Sequence, residues 1–336
     1  MIVKKNILIT GVCGTIGRSL LYQILKEDKF KNYNIIGIDK DENNLFFLYE
    51  KFLKQERVKL FLCGIRNEIS LNNFLDKVDT IFHTAALKHV GIIELSPYEA
   101  IQTNINGTNN LIRLSEQNKV KKLIFCSTDK AVNPTNVMGA SKLMAEKLLT
   151  SAVARNKAKG TIFSSIRFGN IMGSAGSVFQ VFQNQIKQKI PLTITDKKMS
   201  RFVMSISEAT KYILEVSELA VGGEVFVPKM PSISITTLAD ALEKIYSNDT
   251  IERIFIGAKP GEKMFEELVG TEEIRRTVEI KNYYVILPAF SNLFPNIEKE
   301  YSVKKSRKLN EIYNSHTADK LNCKQVVAFI KENNII

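Results

Sequence analysis

Cysteine is scarce in this chain: the four residues, Cys13, Cys63, Cys126 and Cys323, are too widely spaced for a paired-cysteine metal site, and they outline no disulfide framework. Three lie in or beside apolar strand-like runs, where a buried free thiol is the ordinary state, so a reducing compartment is expected. Long apolar runs are missing as well. Nothing approaches the roughly 18 to 20 residues that a bilayer span requires. The N-terminal MIVKKNILIT runs straight into a strand and a glycine turn. The expectation is a soluble, cytoplasmic protein without a membrane span. Internal repeats and low-complexity tracts are also lacking.

The 336 residues are 44% hydrophobic and 24% charged, ordinary globular composition with enough chain for two lobes around a sizeable core. A formal net charge of +12 raises the question of nucleic acid, because a basic surface attracts phosphate. The lysines, however, are scattered and interleaved with acids, as in KEDKFKNYN and IEKEYSVKKSRKLNE. That pattern suits a solvated surface and an anionic small substrate, and no nucleic-acid partner is expected.

Strand and helix patterns alternate through the first half in the rhythm of a parallel sheet with crossover helices. The strand candidates are NILIT (6–10), NIIGI (34–38), VKLFL (58–62), DTIFH (79–83), KLIFC (122–126) and TIFSSIRF (161–168). Six such strands predict an α/β fold, a doubly wound parallel sheet of the Rossmann kind. After Asn170 the texture changes to MGSAGSVF, a helix candidate VFQVFQNQIKQK and a short strand LTIT; residues 207–229 read as a helix and strand that rejoin the sheet. The expected division is a dinucleotide-binding domain of residues 1–170 plus about 200–229, and a smaller C-terminal substrate lobe of 171–199 plus 230–336.

GVCGTIG (11–17) follows the first strand and opens a helix. Gly11, Gly14 and Gly17 there supply the tight turn, the close backbone approach to a pyrophosphate and the helix–strand packing, with Thr15 and Ile16 between them as further cofactor contacts. Asp39 ends the second strand, where a carboxylate accepts from both adenine-ribose hydroxyls and repels a 2'-phosphate, which favours NAD over NADP. Lys40 beside it could soften that preference, and Asp39 could instead be a turn residue before DENN. In HTAALKHV (83–90), small Ala85 and Ala86 let the backbone run beside the cofactor, while Lys88 and His89 could face the pocket. Asn104, in QTNINGTNN, is a substrate candidate or a helix-internal group bonded to nearby backbone.

GVCGTIG, HTAALKHV, TNINGTNN, STDKAVNPTNVMGASK, RFGNIMGSAGSV and KPGEKMFEEL, in this order and spacing, resemble the nucleotide-sugar 4,6-dehydratases of polysaccharide and glycan biosynthesis, which are extended short-chain dehydrogenase/reductases. The resemblance reaches from the first strand to about residue 270. Met138 occupies the place of the usual catalytic Tyr, four residues before Lys142, as in the branch that acts on UDP-N-acetylglucosamine. The resemblance implies bound NAD recycled in each turnover, a homo-oligomer, and 4,6-dehydration to a 4-keto-6-deoxy sugar. Thr128, Asp129 and Lys130 then carry the acid–base work, Asp129 as acid and Lys130 as base or the reverse. Lys142 holds the nicotinamide ribose and Met138 shapes the pocket wall. Acid duty requires a raised pKa at Asp129, and base duty a lowered one at Lys130, through desolvation or cations such as Lys142.

At the substrate end, GSAGSV and the helix start at Ser177 and Val178 suit a diphosphate. Asn170 and Arg201 are phosphate and sugar candidates, Arg201 being otherwise a surface cation. Glu262 could accept both hydroxyls of the nucleotide ribose, and backbone near Thr193, in PLTIT, could read the base. Two departures from the family pattern stand out: Gly64 where an adenine-facing Asp is usual, and Lys259 where the corresponding turn has Arg. Rival assignments are a 4- or 5-epimerase, dehydration of a GDP- or dTDP-sugar, and a dinucleotide-binding regulatory module that lost catalysis. Keeping Thr128, Asp129, Lys130 and Lys142 together argues against the last.

Overall fold

The near-continuous apolar runs become strands, covered on both faces in the middle of the sheet as at KLIFC, while VKLFL forms an edge with Phe61 and Leu62 exposed. In the computed structural model, which describes residues 5–155, 160–174, 176–247, 250–258, 261–294, 297, 300, 301 and 307–335, strand β1 (Lys5–Thr10) leads through the glycine turn into α1 (Thr15–Lys26). The alternation continues through β2 (Tyr33–Asp39), α2 (Glu42–Phe52), β3 (Val58–Leu62), α3 (Glu68–Asn72) and β4 (Val78–His83). Helices α4 (Val90–Glu94), α5 (Pro97–Ala100) and α6 (Gly107–Gln117) follow, with a π-helical turn at Ile101–Asn106, and then β5 (Lys122–Thr128), α7 (Val137–Arg155) and β6 (Ile162–Phe168). The expected strand positions agree with these bounds to within two residues.

The later elements are β7 (Asn170–Ile171), α8 (Val178–Lys187), β8 (Leu192–Ile194), β9 (Ser200–Met204), α9 (Ile206–Leu219), β10 (Val225–Pro228), β11 (Ser232–Ser234), α10 (Ile235–Tyr246), β12 (Arg253–Phe255), β13 (Glu267–Val269), α11 (Thr271–Ile274), β14 (Thr277–Ile280), β15 (Tyr283–Ile286), β16 (Arg307–Lys308) and β17 (Tyr313–Asn314). A last helix, Cys323–Glu332, closes the chain. The main sheet has ten strands in the order β16-β14-β15-β10-β6-β5-β4-β1-β2-β3. From β3 to β10 every pairing is parallel; β15, β14 and β16 extend the sheet antiparallel.

Strand order reverses between β1 and β4, the switch point outside whose carboxyl ends ligands bind in doubly wound sheets. One face of the sheet is sealed by Leu20, Leu21 and Ile24 of α1 with Ile213 and Leu214 of α9. The other is sealed by Leu111 and Ile112 of α6 with Leu149 and Ala152 of α7. A separate apolar cluster joins Phe179 and Phe182 of α8, Leu238 and Leu242 of α10, and Val326 and Ile330 of the last helix. All four cysteines are free thiols. Among the described residues, no helix is long and apolar enough to cross a membrane.

One charged knot ties these layers together. Arg167, 1% exposed on β6, donates to both carboxylate oxygens of Glu146 on α7 at 2.9 and 2.7 Å, to both of Glu273 on α11 at 2.7 and 2.9 Å, and to the Leu268 carbonyl at 3.1 Å. Removing one member of a buried ion cluster leaves the others uncompensated, typically at a cost of about 3–5 kcal/mol. Arg167→Leu is therefore expected to lose that order of stability in urea-denaturation curves. A loss under about 1 kcal/mol would mean that Glu146 and Glu273 are relieved by water or protonation.

Candidate active site

The carboxyl end of β5 is followed at once by a one-turn 3-10 helix, Asp129–Ala131. Thr128 caps it: its Oγ1 accepts from the Lys130 backbone N–H at 3.4 Å and donates to Asp129 Oδ1 at 2.9 Å. Lys130 Nζ donates to the same Oδ1 at 2.9 Å and to Asn170 Oδ1 at 3.4 Å. Asp129 is fully buried, so this is an interior ion pair and not a surface one. Its second oxygen is buried with no partner among the described residues.

Sequence reasoning missed a further member of this cluster. Glu266, in KPGEKMFEEL, places Oε1 3.8 Å from Lys130 Nζ and 3.8 Å from Arg201 Nε. Its Oε2 is buried and has no partner among the described residues. Burial raises the Glu266 pKa and the negative Asp129 raises it further, against the pull of Lys130, Arg201 and Lys263. Lys130 departs from expectation for the same reason. Burial pulls its pKa down, but Asp129 and Glu266 outweigh burial and hold it above the ordinary lysine value. The cation opposing them is Arg201, where Lys142 had been expected to act.

Arg201 is buried on β9, correcting the surface alternative; one guanidinium nitrogen donates to the Ser200 carbonyl at 2.8 Å and the other lies 3.5 Å from Glu262 Oε1. The segment carrying Glu262 and Glu266 is fastened over the β5 turn. Thr135 Oγ1 and Asn136 Nδ2 donate to the Gly261 carbonyl at 3.0 and 3.1 Å, Lys263 Nζ to the Val132 carbonyl at 2.7 Å, and the Glu266 N–H to Ser315 Oγ at 3.0 Å. Lys259 and Pro260 of the expected turn lie outside the described residues.

Helix α7 presents Lys142, buried, with Nζ 4.0 Å from the centre of the Phe125 ring; burial lowers its pKa to about 8. One turn earlier Met138 is buried in a small apolar cluster with Ile93 and Ala100, a packing position with no proton to give. Asn104 does not offer its amide to a ligand. Nδ2 donates to the Leu87 carbonyl at 3.0 Å and to Ser141 Oγ at 2.9 Å, while Oδ1 accepts from the Leu87 N–H at 2.8 Å, so Asn104 clasps the loop after β4 to α7. His83, at the end of β4, is wholly buried between Thr10 Oγ1 at 2.8 Å and Thr108 Oγ1 at 3.0 Å. Burial and then Lys142 push its pKa down to about 3, leaving a neutral ring.

The glycine turn fits a dinucleotide. Gly11 has φ +70°, and a Cβ there would stand 2.7 Å from Ala85 Cα; one on Gly17 would stand 2.2 Å from the Gly11 carbonyl oxygen. The turn beside Ala85 and Ala86 is therefore as tight as a close-approaching pyrophosphate requires, with Thr15 and Ile16 opening α1. Asp39 points back at this turn: Oδ2 accepts from the Cys13 N–H at 2.9 Å and Oδ1 from the Asp41 N–H at 3.0 Å. Each oxygen keeps a lone pair for a ribose hydroxyl. Lys40 is exposed, and Gly64 lies beside its Cβ at the rim.

Across the crevice, Asn170, Ser177, Val178 and Arg201 line one cleft, backed by Ile233, Ile235 and Leu238. Ser177 precedes α8 and its buried Oγ has no partner among the described residues. Lys88 and His89 are exposed, with the His89 ring against Gly176. Thr193 stands apart on β8, its hydroxyl accepting from Gln185 Nε2 at 2.9 Å.

The family model described as polysaccharide biosynthesis protein matches residues 7–288. A UDP-glucose 4-epimerase of Rickettsia bellii is 40% identical over 328 residues, covering 97% of this chain and 95% of that one. The X-ray structure of Pen from Bacillus thuringiensis superposes with a TM-score of 0.88 at 36% identity, covering 99% of each chain. A dTDP-glucose 4,6-dehydratase, DesIV of Streptomyces venezuelae with NAD and TYD bound, gives a TM-score of 0.70 at 19% identity over 89% of this chain and 98% of that one, a likeness of fold.

The Met138 environment predicts a packing signature. Met138→Leu conserves volume and should cost less than about 1.5 kcal/mol. Met138→Ala should cost about 2–5 kcal/mol through the cavity it opens among Ile93 and Ala100. Equal unfolding midpoints for the two variants would rule out the packing role.

Proposed function

The chain belongs to the polysaccharide biosynthesis protein family, and from that premise we propose that it is an NAD-dependent 4,6-dehydratase of UDP-N-acetylglucosamine. The observation that carries this assignment is the buried Asp129 held between Thr128 and Lys130, with Glu266 behind them. Epimerisation at C4 needs one proton carrier for O4, whereas elimination across C5 and C6 also needs a base and an acid, and this cluster has groups for both. The chemistry that bound NAD supplies is reversible hydride transfer. The turn of Gly11 and Gly14, packed closely by Gly17, would cradle its pyrophosphate, Asp39 would hold its adenine ribose and Lys142 its nicotinamide ribose.

Thr128 holds the sugar O4 and passes its proton to Asp129, to which its hydroxyl already donates. The resulting 4-ketone acidifies C5. Lys130, as the neutral amine, takes the C5 proton and later returns it, while Asp129 gives up its proton to the C6 oxygen leaving as water. Protons balance, and the water carries the one that came from O4. Asn170, Ser177 and Arg201 hold the diphosphate and sugar, and Glu262 the nucleotide ribose. Met138 shapes the wall.

A C4 epimerase is the second assignment, favoured by the 40% identical relative of that name. Incubation with UDP-N-acetylglucosamine and UDP-glucose in deuterated water, followed by NMR, separates the two. Dehydration yields a 6-deoxy methyl signal and deuterium at C5. A C4-inverted product that retains its C5 proton and its C6 hydroxyl would replace dehydratase by epimerase. With the dehydratase, Lys130→Ala should lose C5 exchange and product by about 10²- to 10⁴-fold, and native exchange in this variant would reassign the base. Denatured protein should release NAD; a clear excess of NADP would overturn the role of Asp39.

A further inference from the structure

Lys130 must be neutral to take a proton from carbon, yet the two carboxylates beside it hold it charged. They differ in what they can accept. Asp129 Oδ1 already accepts hydrogen bonds from Thr128 and from Lys130. Glu266 has only contacts of 3.8 Å to Lys130 and Arg201, and its buried Oε2 has no partner among the described residues. The charged groups facing it are Asp129 and Lys130 from the β5 turn, Arg201 from β9 and Lys263 from its own segment, with Glu262 across Arg201.

We propose that Glu266 is a positioning residue that arms Lys130 by taking its proton. The step converts Lys130–NH3+ and Glu266–COO⁻ into Lys130–NH2 and Glu266–COOH: an N–H bond breaks, an O–H bond forms, and the net charge of the cluster is unchanged. Closing the 3.8 Å gap to hydrogen-bond distance takes about 1 Å of side-chain movement. A neutral pair tolerates the desolvation that a bound sugar imposes better than an ion pair does. After the C5 proton has returned from Lys130 to the sugar, Glu266 gives its own proton back to the amine. This role rests on the acid–base assignments proposed above, while the Glu266–Lys130 coupling can be read without turnover.

The coupling is read by trace acylation of lysine amines at about pH 8, quantified by mass spectrometry. In the protein without substrate, where Glu266 is the anion that helps hold Lys130 charged, Glu266→Gln should raise acylation at Lys130 about tenfold relative to the other lysines, one unit of pKa. An unchanged rate would overturn the proposal. The step itself is read by C5 deuterium exchange with UDP-N-acetylglucosamine. Wild type, transferring the proton internally, should exchange at a rate nearly independent of pH from about 7 to 9, whereas Glu266→Gln should fall about 10²-fold at pH 7 and recover tenfold per unit toward alkali, with KM changed little. Equal loss at every pH would mark a purely structural role and overturn the proposal. Should the Gln variant fail to fold, Glu266→Asp carries the test: a lower but pH-independent rate supports the step, and a tenfold rise per unit contradicts it. If wild type leaves C5 unexchanged while acylation still responds to Glu266, the dehydratase assignment falls and the coupling stands.

Discussion

The site depends on a buried cation that is not part of it. Arg167 fixes α7, which carries Met138 and Lys142, against the segment from Leu268 to Glu273, whose preceding residues carry Glu262 and Glu266. These two arms approach the β5 turn from different parts of the sequence, and a planar guanidinium with donors for two carboxylates can clamp both at once. Such a knot gives little net stability over apolar packing, but it tolerates few alternative arrangements. The acid–base cluster inherits that restriction: Lys130, Asp129 and Glu266 stand within reach of one another because their carriers have one way to dock.

Much of this was legible in the sequence, for a physical reason. Strands buried on both faces need unbroken apolar runs, so KLIFC announces itself, and a site at the carboxyl end of a parallel strand is the natural expectation from the position of STDK. The glycine turn was legible because the space between Gly11, Gly17 and Ala85 leaves no room for side chains. Short antiparallel strands are another matter. β14 and β15 have four residues each and turn at Lys281, a lysine with φ +44°, where no glycine marks the hairpin.

Charged residues were legible by type and illegible by partner. Glu266 and Glu267 are adjacent and chemically equivalent in sequence; only the pleat of the chain entering β13 buries the first beside Lys130 and leaves the second half-exposed with Asn133. Lys130 illustrates the same limit: Asp129 beside it raises its pKa, and so does Glu266, a carboxylate 136 positions further along the chain that the sequence does not place. Asn104 shows the converse: a polar residue near the cofactor crevice whose hydrogen bonds are consumed in holding the loop that a ligand would meet.

The two arms also impose an order on assembly during synthesis. A nascent chain that has emerged as far as β6 possesses the glycine turn, Asp39, Asp129 and Lys130, and the parallel strands that present them. It lacks Arg201, Glu266 and Glu273, the charges that surround Lys130 and satisfy Arg167. The Asp129–Lys130 pair is thus on the chain before Arg201 and Glu266, the charges that complete the cluster around it. The residues of the cofactor turn are therefore synthesised before the far side of the charged cluster, and a product truncated after β6 has the first and lacks the second.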